Sequence, residues 1–132
     1  MLDREDALHM IEQAYAARAR GDKEALAQYW AEGARFRLAG DEHLLAAVPI
    51  HGSALGTIGE LMDRFTFTEL QRLEAVVEDN KVAVRWAVKV TYDDQPPVRT
   101  ELMDLIHLDD DGRIQSFVQF CDTAQIRALV EG

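Results

Sequence analysis

The apolar positions of this chain repeat with a helical period over its first half and with period two from Thr66 onward. From Asp3 to Arg20, Leu8, Ile11, Ala14, Tyr15 and Arg18 fall on one face. Asp3 is placed to cap this helix, with Asp6 as a loose capping-box partner, and Gly21 to end it. A second helix is predicted from Asp22, with Ala25, Leu26, Tyr29 and Trp30 as its apolar face, closing near Gly33. Ala34 to Leu38 alternates Arg35 and Arg37 with Phe36 and Leu38, a short strand with one buried side. Residues 40–49 are less regular, and Leu44 to Val48 reads as a helical flap or a loop segment, the place for a lid. Ser53 caps a third helix running to about Arg64, with Leu55, Ile58, Leu61, Met62 and Phe65 inward. Gly56 and Gly59 read as close packing, since no strand leads into them and no lysine follows as a phosphate loop requires.

Four strands follow, Thr66 to Glu78, Val82 to Tyr92, Val98 to Leu108 and Ile114 to Asp122, and then a terminal helix from Thr123 to Val130. In the second, Arg85 and Trp86 face opposite ways, and which one points inward is open. The layout is α+β: a strongly curved antiparallel sheet packed against three N-terminal helices, one domain over residues 1–132. Plain antiparallel pairing across the turn Asp109 to Gly112 sets Asp104 opposite Val118 and Asp122 opposite Thr100. Both acids then share the inward face with Leu102, Ile106, Leu108, Ile114, Val118 and Phe120. An acid on such a face must be hydrogen-bonded, paired or open to a cavity. Asp122 also has a local role available, as the cap of the terminal helix with Gln125 three residues on. The other face carries Met103, Leu105, Phe117 and Cys121 among polar residues, too apolar to stay wet, which predicts a homodimer.

Composition removes several classes of function. Lys and Arg number 14 against 24 Asp and Glu, a net charge of −10, which argues against nucleic acid. Cys121 is the single cysteine, so no intrachain disulfide is possible, and it reads as a small core residue rather than a nucleophile. The first residues lack the basic and apolar regions of a leader, and no apolar run approaches the length of a membrane span. The expected location is cytoplasmic. His9, His43, His51 and His107 show no ligand spacing, and Asp109 to Asp111 lack the alternation of a calcium loop, so neither a metal nor another cofactor is expected.

Three stretches carry a resemblance that covers nearly the whole chain. YAARARGDKEALAQYWAEGARF (Tyr15 to Phe36), PIHG (Pro49 to Gly52), and MDLIHLDDDGRI followed by FVQFCDTAQIRALV (Met103 to Val130) stand in the order found in the nuclear transport factor 2-like superfamily. That superfamily includes ketosteroid isomerase, the SnoaL-like polyketide cyclases and limonene epoxide hydrolase, and the F-x-D-T-A ending resembles the SnoaL-like group. The resemblance implies a cone with an open-ended pocket, in a protein that pairs through its outer sheet face. It implies further that Asp104 occupies the place of the protonated acid that donates to a substrate oxyanion in the isomerases. Tyr15 falls at or beside their helix-one tyrosine, and their general base falls on Leu38, so it is absent. Asp122 takes the place of the acid–base aspartate of the cyclases. The arginine of the epoxide hydrolases falls on Leu102, and Arg99 lies three residues further back on the opposite strand face, so that triad is broken.

The catalytic candidates are thus Asp122 as base, Asp104 as hydrogen-bond donor, and Tyr15. The pocket is expected to be walled by Tyr29, Trp30, Phe36, Leu38, His51, Leu102, Val118 and Phe120. The expected ligand is a small, mostly apolar, oxygenated molecule, handled by an acid–base isomerase, cyclase or hydrolase. The alternative is a non-catalytic ligand-binding or dimerisation module of the same fold.

Overall fold

A computed structural model describes residues 3–40 and 53–131. The first helix, α1 (Arg4–Arg20), begins where the Asp3 carboxylate accepts the Glu5 N–H at 2.7 Å. It ends at Gly21, whose φ of 74° is the left-handed turn that glycine adopts without strain. Asp22 caps the short α2 (Lys23–Ala27) through the Ala25 N–H. This helix is briefer than its apolar spacing predicts. Gln28 and Tyr29 close it with tight bonds to Ala25 and Leu26, the Tyr29 carbonyl accepts the Ile114 N–H at 2.8 Å, and Trp30 already belongs to β1 (Trp30–Leu38). Sheet pairing overrides helical spacing here.

Ser53 caps α3 (Ala54–Arg64) through the Gly56 N–H at 3.0 Å. The chain then enters β2 (Phe65–Glu78), β3 (Lys81–Tyr92), β4 (Val98–Leu108) and β5 (Ile114–Phe120), and closes with α4 (Thr123–Glu131). The sheet order is β1-β5-β4-β3-β2, with β1 parallel to β5 and the other neighbours antiparallel. Register shifts in β2, between Thr68 and Gln71 and between Arg72 and Glu74, come with a left-handed Glu69 and bend the sheet. The predicted flap, Leu44 to Val48, and His51 lie outside the described residues.

The concave face and the helices enclose the core. Val82, Val84, Trp86, Val88 and Val90 of β3 are all buried there beneath Ala7, Leu8, Ile11 and Ala14 of α1. Arg85 points the other way and pairs with Glu101 at 2.6 Å and Glu74 at 3.3 Å, which settles the face that the sequence left open.

One local feature decides which side chains of β5 point inward. His107 pairs with Ser116 but Leu108 pairs with Ile114, so Gln115 is an extra, unpaired residue. Beyond that bulge Asp104 stands opposite Gln119, not Val118. The inward set of β5 is therefore Ile114, Phe117 and Gln119, while Phe120 is 47% exposed. Val118 and Phe120 leave the expected pocket wall for the outer face, and Phe117 moves from the expected dimer face into the core.

Candidate functional site

Asp104 is fully buried, and three side chains from three elements donate to it. Tyr15 of α1 and Trp86 of β3 both reach Oδ2, the first through a short hydroxyl bond and the second through its indole N–H at 3.0 Å. Gln119 of β5 reaches Oδ1 at 3.2 Å, and the same amide nitrogen donates to the Tyr15 hydroxyl at 3.1 Å. Burial pushes the Asp104 carboxyl up to about 7, against the three hydrogen bonds, which favour the ion. Tyr15 is driven well above its ordinary range by burial first and then by the neighbouring Asp104 charge and its hydrogen bond. The Tyr15 ring also packs against Trp86 at a tilt of 33°, with centroids 4.2 Å apart.

The network reaches an apolar cavity through Tyr15 and Gln119. This cavity is open on one side, spans about 520 Å³ with the solvent at its mouth included, and is walled chiefly by Ile11, Ala14, Leu26, Trp30, Phe36, Ile58, Leu61, Phe67, Ile114 and Phe117. A second open compartment, about 460 Å³ with its solvent included, shares Arg18, Leu61, Phe67 and Gln119 and is completed by Leu38, Phe65, Val90, Leu102, Cys121 and Ile126. Asp104 itself lines neither compartment. It stands behind Tyr15 and Gln119, which present its charge state to the cavity.

The arrangement has two states. With Asp104 ionised, its carboxylate holds the Tyr15 proton and the phenol presents only a lone pair. With Asp104 neutral, its own proton can bond the phenol oxygen, which frees the Tyr15 proton to point at an oxygen in the cavity. The changeover falls near neutrality because Asp104 titrates at about 7.

Of the predicted site residues, the structure brings Tyr15 and Asp104 into contact and places Trp30, Phe36, Leu38 and Leu102 in the cavity walls. Tyr29 lines neither compartment, because the helix meant to present it ends at Ala27. Asp122 is exposed and accepts the Gln125 N–H at 3.1 Å, so it serves as the cap of α4; it lines neither compartment itself, although its neighbour Cys121 does. Cys121 is half-buried in the second compartment, and burial together with the Asp122 charge pushes its thiol up to about 11, so it stays protonated.

Sequence reasoning missed Gln119 and Trp86 as partners of Asp104. Gln119 needed the Gln115 bulge, which nothing in the turn sequence announces. Trp86 needed only the inward face of β3, and the all-valine company of that face was the available signal. Trp30 Nε1 is buried with no hydrogen-bond partner among the described residues. Among those residues no group of His, Cys, Asp or Glu is placed to hold a metal ion, and no helix is long and apolar enough to cross a membrane.

The protein is thus an α+β domain in which a curved sheet packs against helices and an acid is buried behind a cavity. Residues 11–117 match the SnoaL-like domain, and the chain belongs to that family. No functionally curated protein matches the chain in sequence. A candidate isomerase from Bacillus subtilis superposes with a TM-score of 0.82 at 15% identity, over 100% of this chain and 97% of the other. An NTF2-like protein of unknown function from Burkholderia pseudomallei gives 0.76 at 15% identity, over 96% and 98%. A limonene epoxide hydrolase-like epoxide hydrolase from M. tuberculosis gives 0.73 at 15% identity, over 97% and 92%. At these identities the likeness is one of fold.

Proposed function

We propose that this domain binds a small, mostly apolar molecule and polarises or protonates one of its oxygens through Tyr15, with Asp104 as the proton reservoir behind it. The observation that carries this reading is the Tyr15–Asp104–Gln119 network, buried at the wall of an otherwise apolar cavity. The chemistry it suits is acid-assisted isomerisation, cyclisation or hydrolysis, in which an enol, alkoxide or leaving oxygen takes a hydrogen bond as charge develops. Among the described residues no carboxylate lines the cavity to serve as base, and Leu38 occupies the place where the isomerases carry one. That lack favours a second reading, a binding module that holds such a molecule without turning it over.

The test uses 2-acetylnaphthalene, a neutral apolar probe whose one polar atom is a ketone oxygen that accepts but cannot donate, in calorimetric titrations. Wild type should bind it more tightly below about pH 7 than above, and Tyr15→Phe should lose about tenfold in affinity together with that pH dependence. Equal affinity of the two proteins across the range would remove Tyr15 from the site.

We also propose a homodimer through the outer sheet face. Val76, Ala83, Leu105 and Val118 fall in one register row across four adjacent strands, with Met103 and the exposed Phe120 paired beside them. The lone Cys121 supports a cytoplasmic location.

A further inference from the structure

Arg18 is the only charged side chain lining either compartment among the described residues, in a chain whose net charge is −10. It lies one helical turn beyond Tyr15 on the same inward face of α1. Its guanidinium carbon sits 4.0 Å from the centroid of the Phe67 ring, so a flat face is covered while the N–H edges are not. Other arginines of the protein find carboxylates: Arg72 pairs with Glu12, Arg85 with Glu74 and Glu101, and Arg99 with Glu69. Arg18 has no acidic partner and no hydrogen-bond acceptor among the described residues.

A cation held in an apolar wall without a counterion is costly, and the cost falls away when an anion arrives. Burial weakens even this half-buried guanidinium, lowering it to about 10. It nevertheless stays charged at neutral pH. One guanidinium offers a fork suited to a planar monoanion, and among the described residues no second cation lines the compartments for a doubly charged phosphate.

We propose that the molecule this pocket takes is a carboxylate, its anion paired with Arg18 where the two compartments meet and its apolar body lying along the cavity toward Tyr15. This rests on the pocket reading above and names the substrate class for it. Arg18 then acts as the binding and orienting cation, and Tyr15 remains the group that meets the reacting oxygen.

The test compares 2-naphthoate with 2-naphthamide, which match in size and differ in charge, by calorimetric titration of wild type, Arg18→Met and Arg18→Lys. Wild type should prefer the carboxylate by about tenfold or more. Arg18→Met should lose that preference through weaker 2-naphthoate binding alone, and Arg18→Lys, which keeps the charge without the fork, should fall between. Thermal melting should show Arg18→Met at least as stable as wild type, because no ion pair among the described residues is lost and a thioether fits against Phe67. Equal binding of both probes by wild type, or a preference that survives in Arg18→Met, overturns the carboxylate assignment and leaves the pocket reading standing. Binding of neither probe to wild type overturns both. The wild-type comparison decides by itself should a variant fail to fold.

Discussion

The Tyr15 hydroxyl donates to Asp104 Oδ2 across 89 residues of sequence, tying the opening helix to the fourth strand inside the core. Among the described residues this contact joins the one fully buried acid to the one phenol that lines the cavity, so it ties the stability of the fold to the cavity wall.

Asp104 should make the fold lose stability as pH rises. Its folded value of about 7 lies above the ordinary 3.8, so across that interval the folded chain keeps a proton that the unfolded chain has released. The contribution is complete below the unfolded value and is lost as pH climbs to about 7. Asp104→Asn removes the titration. Tyr15 and Trp86 still have an oxygen to donate to, while the new side-chain NH₂ meets the Gln119 Nε2 donor, which the Tyr15 hydroxyl oxygen holds in place, so the variant carries a cost that does not vary with pH. Between about pH 5 and pH 8 the wild type should therefore lose on the order of 2 kcal/mol relative to the variant. Urea midpoints at the two pH values measure this, and a constant difference between the proteins would mean that Asp104 is ionised throughout.

Most of this fold was legible because its signals are local and repeated. The caps Asp3 and Ser53 and the valine alternation of β3 each say the same thing at several positions, and the structure follows them within a residue or two. The site was legible in part. A single acid in an apolar strand marked Asp104, and helical spacing put Tyr15 and Arg18 on the inward face. Two things were not readable. The Tyr29–Trp30 pair suits a helix face and a strand equally, and only the bond from Ile114 to the Tyr29 carbonyl decides between them. Gln115 looks like any polar strand residue, yet as a bulge it reverses every side chain after it.

The bulge takes Phe117 off the outer face through which the dimer is proposed. Phe117 is 7% exposed, stacked on Trp30 with centroids 5.6 Å apart and flanked by Tyr15 and Phe36. Phe117→Glu should therefore unfold the chain rather than separate protomers, because it buries a charge without a partner. Leu105→Glu and Phe120→Glu lie on the outer face, 40% and 47% exposed, and should give a folded monomer. Light scattering at micromolar concentration reports the mass and circular dichroism the fold. A wild type of monomer mass refutes the dimer.

Deleting Gln115 separates the bulge from the register it sets. With Gln115 gone, Ile114 is followed directly by Ser116, so plain pairing across the Asp109 to Gly112 turn sets Leu108 opposite Ile114, Ile106 opposite Phe117 and Asp104 opposite Gln119, the partners they already have in the bulged strand. Phe117 and Gln119 stay on the inward face, and Asp104 keeps its three donors. What the deletion removes is the local bend and twist that an extra residue gives a strand. The deletion variant should therefore still unfold cooperatively, destabilised by roughly 0.5–3 kcal/mol, and should keep the loss of stability with rising pH that Asp104 confers. Gln115→Ala, which keeps the residue count and alters only an exposed side chain, should stay within about 0.5 kcal/mol of wild type. Urea midpoints measure both, and a deletion variant without a cooperative transition would show that the bend at the bulge, and not the register alone, holds β5 against its neighbours.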